Sequence, residues 1–90
     1  MECLRRSVFR QLDIDDLITL SLLYDRRTPK EISVFLGLTP PAVSHRLSKY
    51  NSLFDEEPFF KKVKNHRVPT EYGTMICEKA TKMVEILMGG

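Results

Sequence analysis

The stretch LTPPAVSHRLSKY, residues 38–50, places Thr39 before two adjacent prolines and then spaces Val43, Leu47 and Tyr50 at i, i+4 and i+7. That spacing is one face of an α-helix. Proline lacks a backbone N–H, and in the first helical turn that donor has no intrahelical acceptor, so Pro40 and Pro41 pin a helix start rather than break a helix. Thr39 is the residue type that caps such a start. With Val43, Leu47 and Tyr50 turned to a core, Ser44, His45, Ser48 and Lys49 face outward and Arg46 lies on a flank. The outer face is a row of hydrogen-bonding side chains.

Just upstream, TPKEISVFLG repeats the pattern in shorter form. Thr28 is an N-cap, Pro29 takes the first helical position, and Glu31 closes a capping box three residues after the cap. Ile32, Phe35 and Leu36 are expected on its buried face, and Gly37 is placed to end it in the left-handed conformation. Before it, Asp13 caps a helix reaching about Tyr24; Asp15 and Asp16 suit the positive end of its first turn, and Ile14, Leu17, Ile18 and Leu22 follow helical spacing. The run DIDD is thus a cap and first turn rather than a metal cluster. A short helix, a tight Gly-containing turn and a second helix with a polar outer face, over residues 28–50, form a helix-turn-helix.

Downstream, PFFKKVKNHRVPT predicts two short strands around a basic tip, a wing over residues 58–69. Phe59 and Phe60 anchor the first strand, Val68 lies on the second, and Lys61, Lys62, Lys64, Asn65, His66 and Arg67 crowd the turn. A final helix over residues 71–88 starts at Thr70 and carries Tyr72, Ile76, Ala80, Met83 and Leu87 along one stripe, widened by Met75, Val84 and Ile86. So apolar a helix in so short a chain needs a partner, either in its own core or in the same helix of a second copy, since the stripe approximates a coiled-coil seam. Gly73, near its start, points to close packing against a neighbouring element. The fold class is therefore mainly α with a small β-hairpin: one winged helix-turn-helix domain over residues 1–90, ending in a linker or dimerisation helix.

Ninety residues make one modest core, and 42% hydrophobic with 29% charged residues is the balance of a chain that folds. The net charge of +2 is small, but its distribution is informative. Residues 28–70 hold seven Lys or Arg against four acids, whereas residues 1–27 balance five against five and residues 71–90 carry two Lys against three Glu. The positive excess coincides with the helix-turn-helix and wing, the electrostatic footprint of a nucleic-acid binder. Cys3 and Cys77 lie far apart with no CxxC or Cys/His spacing, so neither a disulfide nor a zinc site is expected. No apolar run approaches the ~20 residues of a membrane span, and no signal-peptide pattern opens the chain, which is read as cytoplasmic. No Gly-rich phosphate loop, catalytic carboxylate pair or Ser/His/Asp order recommends an enzyme, and no cofactor is implied.

Double-stranded DNA is the expected partner, with the work divided between contacts that position and contacts that specify. Thr28, Lys30 and Thr39 sit at helix N-termini, where free N–H groups favour a phosphate. Pro40, Pro41, Ser44, His45, Ser48 and Lys49 are placed to meet base edges or groove walls, the prolines offering rigid apolar surface to a thymine methyl. Lys61, Lys62, Lys64, His66 and Arg67 belong over the backbone or in the minor groove. Arg5, Arg6 and Arg10 form either an arm on the backbone or solvated surface. The competing expectation is a winged-helix interaction module that pairs its last helix with another regulatory protein.

These motifs resemble the N-terminal winged helix-turn-helix domain of LysR-type transcriptional regulators, from about Leu17 to the end of the last helix. The recognition-helix positions of that family are occupied by Thr39, Ala42, Val43, Ser44, Leu47 and Tyr50, the last standing where Leu is usual. Pro58, Phe59, Phe60, Lys61 and Lys62 are similar to its Pro-Leu-Phe-x-Arg segment, and Pro69, Thr70, Glu71, Tyr72 and Gly73 to the Leu-Thr-Glu-Ala-Gly that opens its linker helix. The chain departs from the pattern at Pro40, His45 and Asn51, where Gln, Arg and Glu are usual, and the resemblance covers only the DNA-binding part of that family, which an effector-binding domain normally follows. Regulators similar to the MarR type share the Leu-Thr-x-x-Gly echo. The resemblance implies a DNA-binding regulator, and the apolar stripe of Tyr72, Ile76, Ala80, Met83 and Leu87 is the expected dimer interface.

Overall fold

A computed structural model describes residue 8 and residues 10–89. Cys3, Arg5 and Arg6 lie outside the described residues. The chain runs α1 (Ile14–Tyr24), α2 (Pro29–Leu36), α3 (Pro40–Leu53), β1 (Phe60–Val63), β2 (His66–Pro69) and α4 (Glu71–Leu87). Helix α1 packs along α4, α2 lies on α3, and the strands form an antiparallel hairpin beside them.

The caps set the boundaries. Thr28 Oγ1 accepts from the Glu31 N–H at 3.2 Å while the Glu31 carboxylate accepts from the Thr28 N–H at 2.9 Å. Thr39 Oγ1 accepts from the Ala42 N–H at 3.3 Å, with Pro40 and Pro41 filling the turn above it. Between these helices Gly37 has φ +69°, so the Leu38 N–H reaches back to the Ser33 carbonyl at 2.9 Å and the Gly37 N–H to Val34 at 3.3 Å. That pair of bonds satisfies the last carbonyls of α2 and turns the chain sharply into α3. The hairpin turns at Lys64 and Asn65, with φ of 52° and 68°. Two central residues in the left-handed region match the right-handed twist of the strands. Val63 then pairs with His66 and Phe60 with Pro69.

The core is built around aromatic rings. Tyr50 and Phe54 of the α3 end meet Phe59 at centroid separations of 6.1 and 5.6 Å, and Phe59 meets Phe60 at 4.7 Å. Ile32, Val43, Leu47 and Ile76 complete it from the helices. Gly73 lies where a Cβ would run into the Phe59 carbonyl oxygen, so α4 can approach β1 only with glycine there. The same carbonyl accepts from the Thr70 N–H at 2.9 Å.

Two helix faces differ from their expected rotation. On α1 the innermost residues are Asp16, Thr19, Leu20 and Leu23; Leu17, Ile18 and Leu22 are half-buried and Ile14 is 58% exposed. The physical reason is polar: α1 turns its Asp16 edge toward α3. On α2 Ile32 and Ser33 are buried, Leu36 is half-buried and Phe35 is 67% exposed. Ser33 is tolerated inside because its hydroxyl donates to the Lys30 carbonyl at 2.6 Å.

Candidate nucleic-acid interface

Helix α3 turns Val43, Leu47 and Tyr50 fully inward and leaves Pro40, Pro41, Ser44, His45 and Ser48 exposed. Beside that exposed face stands the hairpin. Ser44 and Ser48 from α3 line one wall of a cleft whose other wall is Lys62, Asn65, His66 and Arg67, with Pro29 of α2 at its edge. Strand alternation sends Lys61 to the far side of the hairpin, where it lines a separate depression with Arg26 and Thr74. Adjacent lysines on β1 thus serve opposite faces.

Arg67 ties the two walls together. Its guanidinium donates to the Ser44 hydroxyl at 3.1 Å, the Ser44 carbonyl at 3.2 Å and the Ser48 hydroxyl at 3.3 Å. Its Cζ stands 5.5 Å from the centre of the Phe60 ring, a cation–π distance. Three residues expected to face a partner separately therefore contact one another, and the hairpin has a fixed distance from α3. Lys62 and Lys64 are exposed on the hairpin, as is His66.

Lys49 is placed differently from its expected outward position. Its Nζ donates to Asp16 Oδ2 at 2.7 Å, and Arg46 Nη1 donates to Asp16 Oδ1 at 2.7 Å. Tyr50 Oη donates to the same Oδ1 at 2.7 Å. Asp16 is fully buried and is also the residue that receives the Asp13 N–H, at 3.0 Å, in the α1 capping box. Burial pushes its pKa up, but the bonds from Lys49 and Tyr50 and from the Asp13 backbone outweigh that and hold it below 3.8. The Tyr50 phenol is pushed well above its ordinary range by burial and by the neighbouring carboxylate. Nothing local in DIDD announces this network, because its partners lie 30 to 34 residues away on α3.

The Asp16 shift has a pH consequence. Its folded pKa lies below its ordinary 3.8, so the ionised carboxylate contributes stability that is complete above about pH 5 and is lost as pH falls through the folded value. Denaturant melts between roughly pH 6 and pH 3 should show stability falling below about pH 4, and less steeply in Asp16→Asn, which has no proton to take up.

Thr28 and Thr39 are exposed at the starts of α2 and α3, their hydroxyls engaged by their own helices, and Lys30 is exposed beside Thr28. Arg10 is exposed as well. The expected dimer stripe is corrected by the packing: Tyr72, Ile76 and Ala80 are 9%, 2% and 3% exposed, spent within the monomer because α4 lies against α1. Met83 is half-buried, and of the five only Leu87 is largely exposed. It joins Ile14, Phe35 and Met88 around an apolar groove between α1, α2 and the end of α4. Cys77 is buried, and burial pushes its thiol up to about 12, far from a reactive thiolate. Among the described residues no group of three or more His, Cys, Asp or Glu is arranged to hold a metal ion, and no helix is long and apolar enough to cross a membrane.

A helix-turn-helix followed by a basic hairpin and a long closing helix is a winged helix-turn-helix fold. A solved structure described as a probable transcriptional regulator, PA0477 from Pseudomonas aeruginosa, shares it: the two superimpose with a TM-score of 0.73 at 24% sequence identity over 92% of this chain. The match spans 27% of that chain's length. Comparison with protein-family models and with curated proteins finds no match.

Proposed function

We propose that the chain is a sequence-specific double-stranded DNA-binding domain of a cytoplasmic transcriptional regulator, of the LysR type that its motifs resemble. The observation that carries this is the cleft in which exposed Ser44 and Ser48 of α3 face Lys62, Asn65 and His66 of the hairpin, with Arg67 setting the gap. In this reading α3 enters the major groove by its Pro40, Pro41, Ser44 and His45 end. Lys62, Lys64 and His66 lie along the flanking backbone or in the minor groove, and Thr28, Lys30 and Thr39 meet phosphates at the helix starts. Lys49 and Arg67 take supporting roles. The proposed dimer uses Leu87 and Met83 together with the groove around Ile14 and Phe35, in place of Tyr72, Ile76 and Ala80. The same groove favours a second reading, a winged-helix module that docks on another regulator.

Fluorescence anisotropy separates the two, on a duplex selected by the protein from a randomised pool and on a scrambled duplex, at about 50 and 200 mM salt. DNA binding predicts selective association that weakens steeply with salt. The double substitution Ser44→Ala with His45→Ala is expected to lower the ratio of selected to scrambled affinity by about tenfold or more, each lost base contact being worth about 1–3 kcal/mol. Undiminished selectivity in that variant would remove α3 from the reading surface; no binding at the lower salt would leave the docking module.

A further inference from the structure

Helix α3 carries one arginine and one lysine, Arg46 and Lys49, and both are turned to the same buried carboxylate on α1. Their side chains are only 21% and 34% exposed, and that of Asp16 not at all. A buried ion network is a costly way to attach one helix to another, since apolar residues of similar volume often hold as well. It also removes from α3 the charges that would draw it to any phosphate backbone. What it supplies is geometry. The three donors, Arg46, Lys49 and Tyr50, follow one another at i, i+3 and i+4 and converge on Asp16 at 2.7 Å each, so the back of α3 is fixed in both rotation and height. Ser44, His45 and Ser48 lie on the exposed side of the same turns.

We propose that Asp16 is a positioning and specificity-determining residue: it orients α3 and withholds Arg46 and Lys49 from the phosphate backbone, so that the helix reads DNA through uncharged side chains. The inference rests on the DNA-binding reading above. It assigns to α1 a function absent from the expected contact set, in which Lys49 is itself a DNA contact.

The test is the salt dependence of duplex binding by the whole chain, measured with the selected and scrambled duplexes for wild type, Asp16→Asn, Lys49→Gln and the double variant. In Asp16→Asn, Lys49 is released while Arg46 keeps its second carboxylate partner, Asp13, at 3.4 Å, and one added phosphate contact steepens the logarithmic salt slope by about 0.9. The ratio of affinities at 50 and 200 mM salt then rises about 3.5-fold, and the preference for the selected duplex falls. Lys49→Gln alone should keep the wild-type slope, and the double variant should return to it. A purely structural role for Asp16 would move neither slope. If Asp16→Asn does not fold, as circular dichroism would reveal, Lys49→Gln decides the matter: an unchanged slope supports the proposal, and a slope flatter by about 0.9 overturns it by placing Lys49 on a phosphate in the wild type. A folded Asp16→Asn with the wild-type slope also overturns it. Wild-type protein without salt-dependent binding overturns the DNA reading and this inference with it, an outcome distinct from either of the others.

Discussion

Phe59→Ala is expected to cost about 4 kcal/mol of folding stability, within the range of about 3–5 for deleting a buried phenyl ring. The position is fully buried, and its ring contacts Tyr50, Phe54 and Phe60 at 6.1, 5.6 and 4.7 Å between centroids. The cavity would have little means of collapse. On one side the Tyr50 hydroxyl is anchored to Asp16, and on another the backbone of Phe59 holds the start of α4 through Thr70 and the bare face of Gly73. Against a total of about 5–15 kcal/mol for a small domain, such a loss leaves a chain largely unfolded when warm. Phe35→Ala is the control. At 67% exposure it should stay within about 0.5 kcal/mol of wild type at protein concentrations too low for the proposed dimer, although the sequence pattern assigns Phe35 to the buried face of α2. Chemical denaturation of the two variants tests the packing directly, and comparable losses from both would mean that α2 is rotated from the position described.

The contrast between those phenylalanines shows which parts of the fold are legible in sequence. Helix starts are local chemistry: Thr28-Pro29 with Glu31, and Thr39 with Pro40 and Pro41, act within four residues, and each cap forms as its residue types require. Gly37 and Gly73 are legible for the same reason, one by the conformation it alone adopts freely, the other as a gap in a helix that something must fill. Helix rotation is a long-range property. Counting apolar residues on α1 favours Ile14, Leu17, Ile18 and Leu22, because a pattern of hydrophobicity cannot register that Asp16 has three donors waiting on α3. The candidate site divides in the same way. That Ser44, His45 and Ser48 face outward follows from the spacing of Val43, Leu47 and Tyr50. That Lys49 faces Asp16 and that Arg67 reaches across to Ser44 does not, since each contact joins residues far apart in the chain. The stripe on α4 is legible as apolar, but whether α1 or a second copy covers it depends on where α1 lies.

The hairpin supplies the largest functional effect expected of the DNA-binding reading. Lys62 and Lys61 are neighbours on β1, with the same charge and both exposed, and composition treats them alike. The pleat separates them: Lys62 lines the cleft with Ser44 and Ser48, while Lys61 lines the depression with Arg26 and Thr74 on the other side. If the cleft is the DNA face, Lys62→Gln combined with Lys64→Gln removes two phosphate contacts. Each carries a logarithmic salt slope of about 0.9, so the pair should flatten the slope by about 1.8 and weaken binding about 60-fold at ~0.1 M salt. Because phosphate contacts position without specifying, the loss should be nearly equal on selected and scrambled duplexes. Lys61→Gln changes the net charge in the same way at a site facing elsewhere, and should leave the slope within about 0.3 of wild type. Equal effects from Lys61 and Lys62 would show attraction by diffuse positive charge, with no particular face engaged. A large Lys61 effect beside a small one from the Lys62 and Lys64 pair would move the DNA to the opposite side of the hairpin, away from α3.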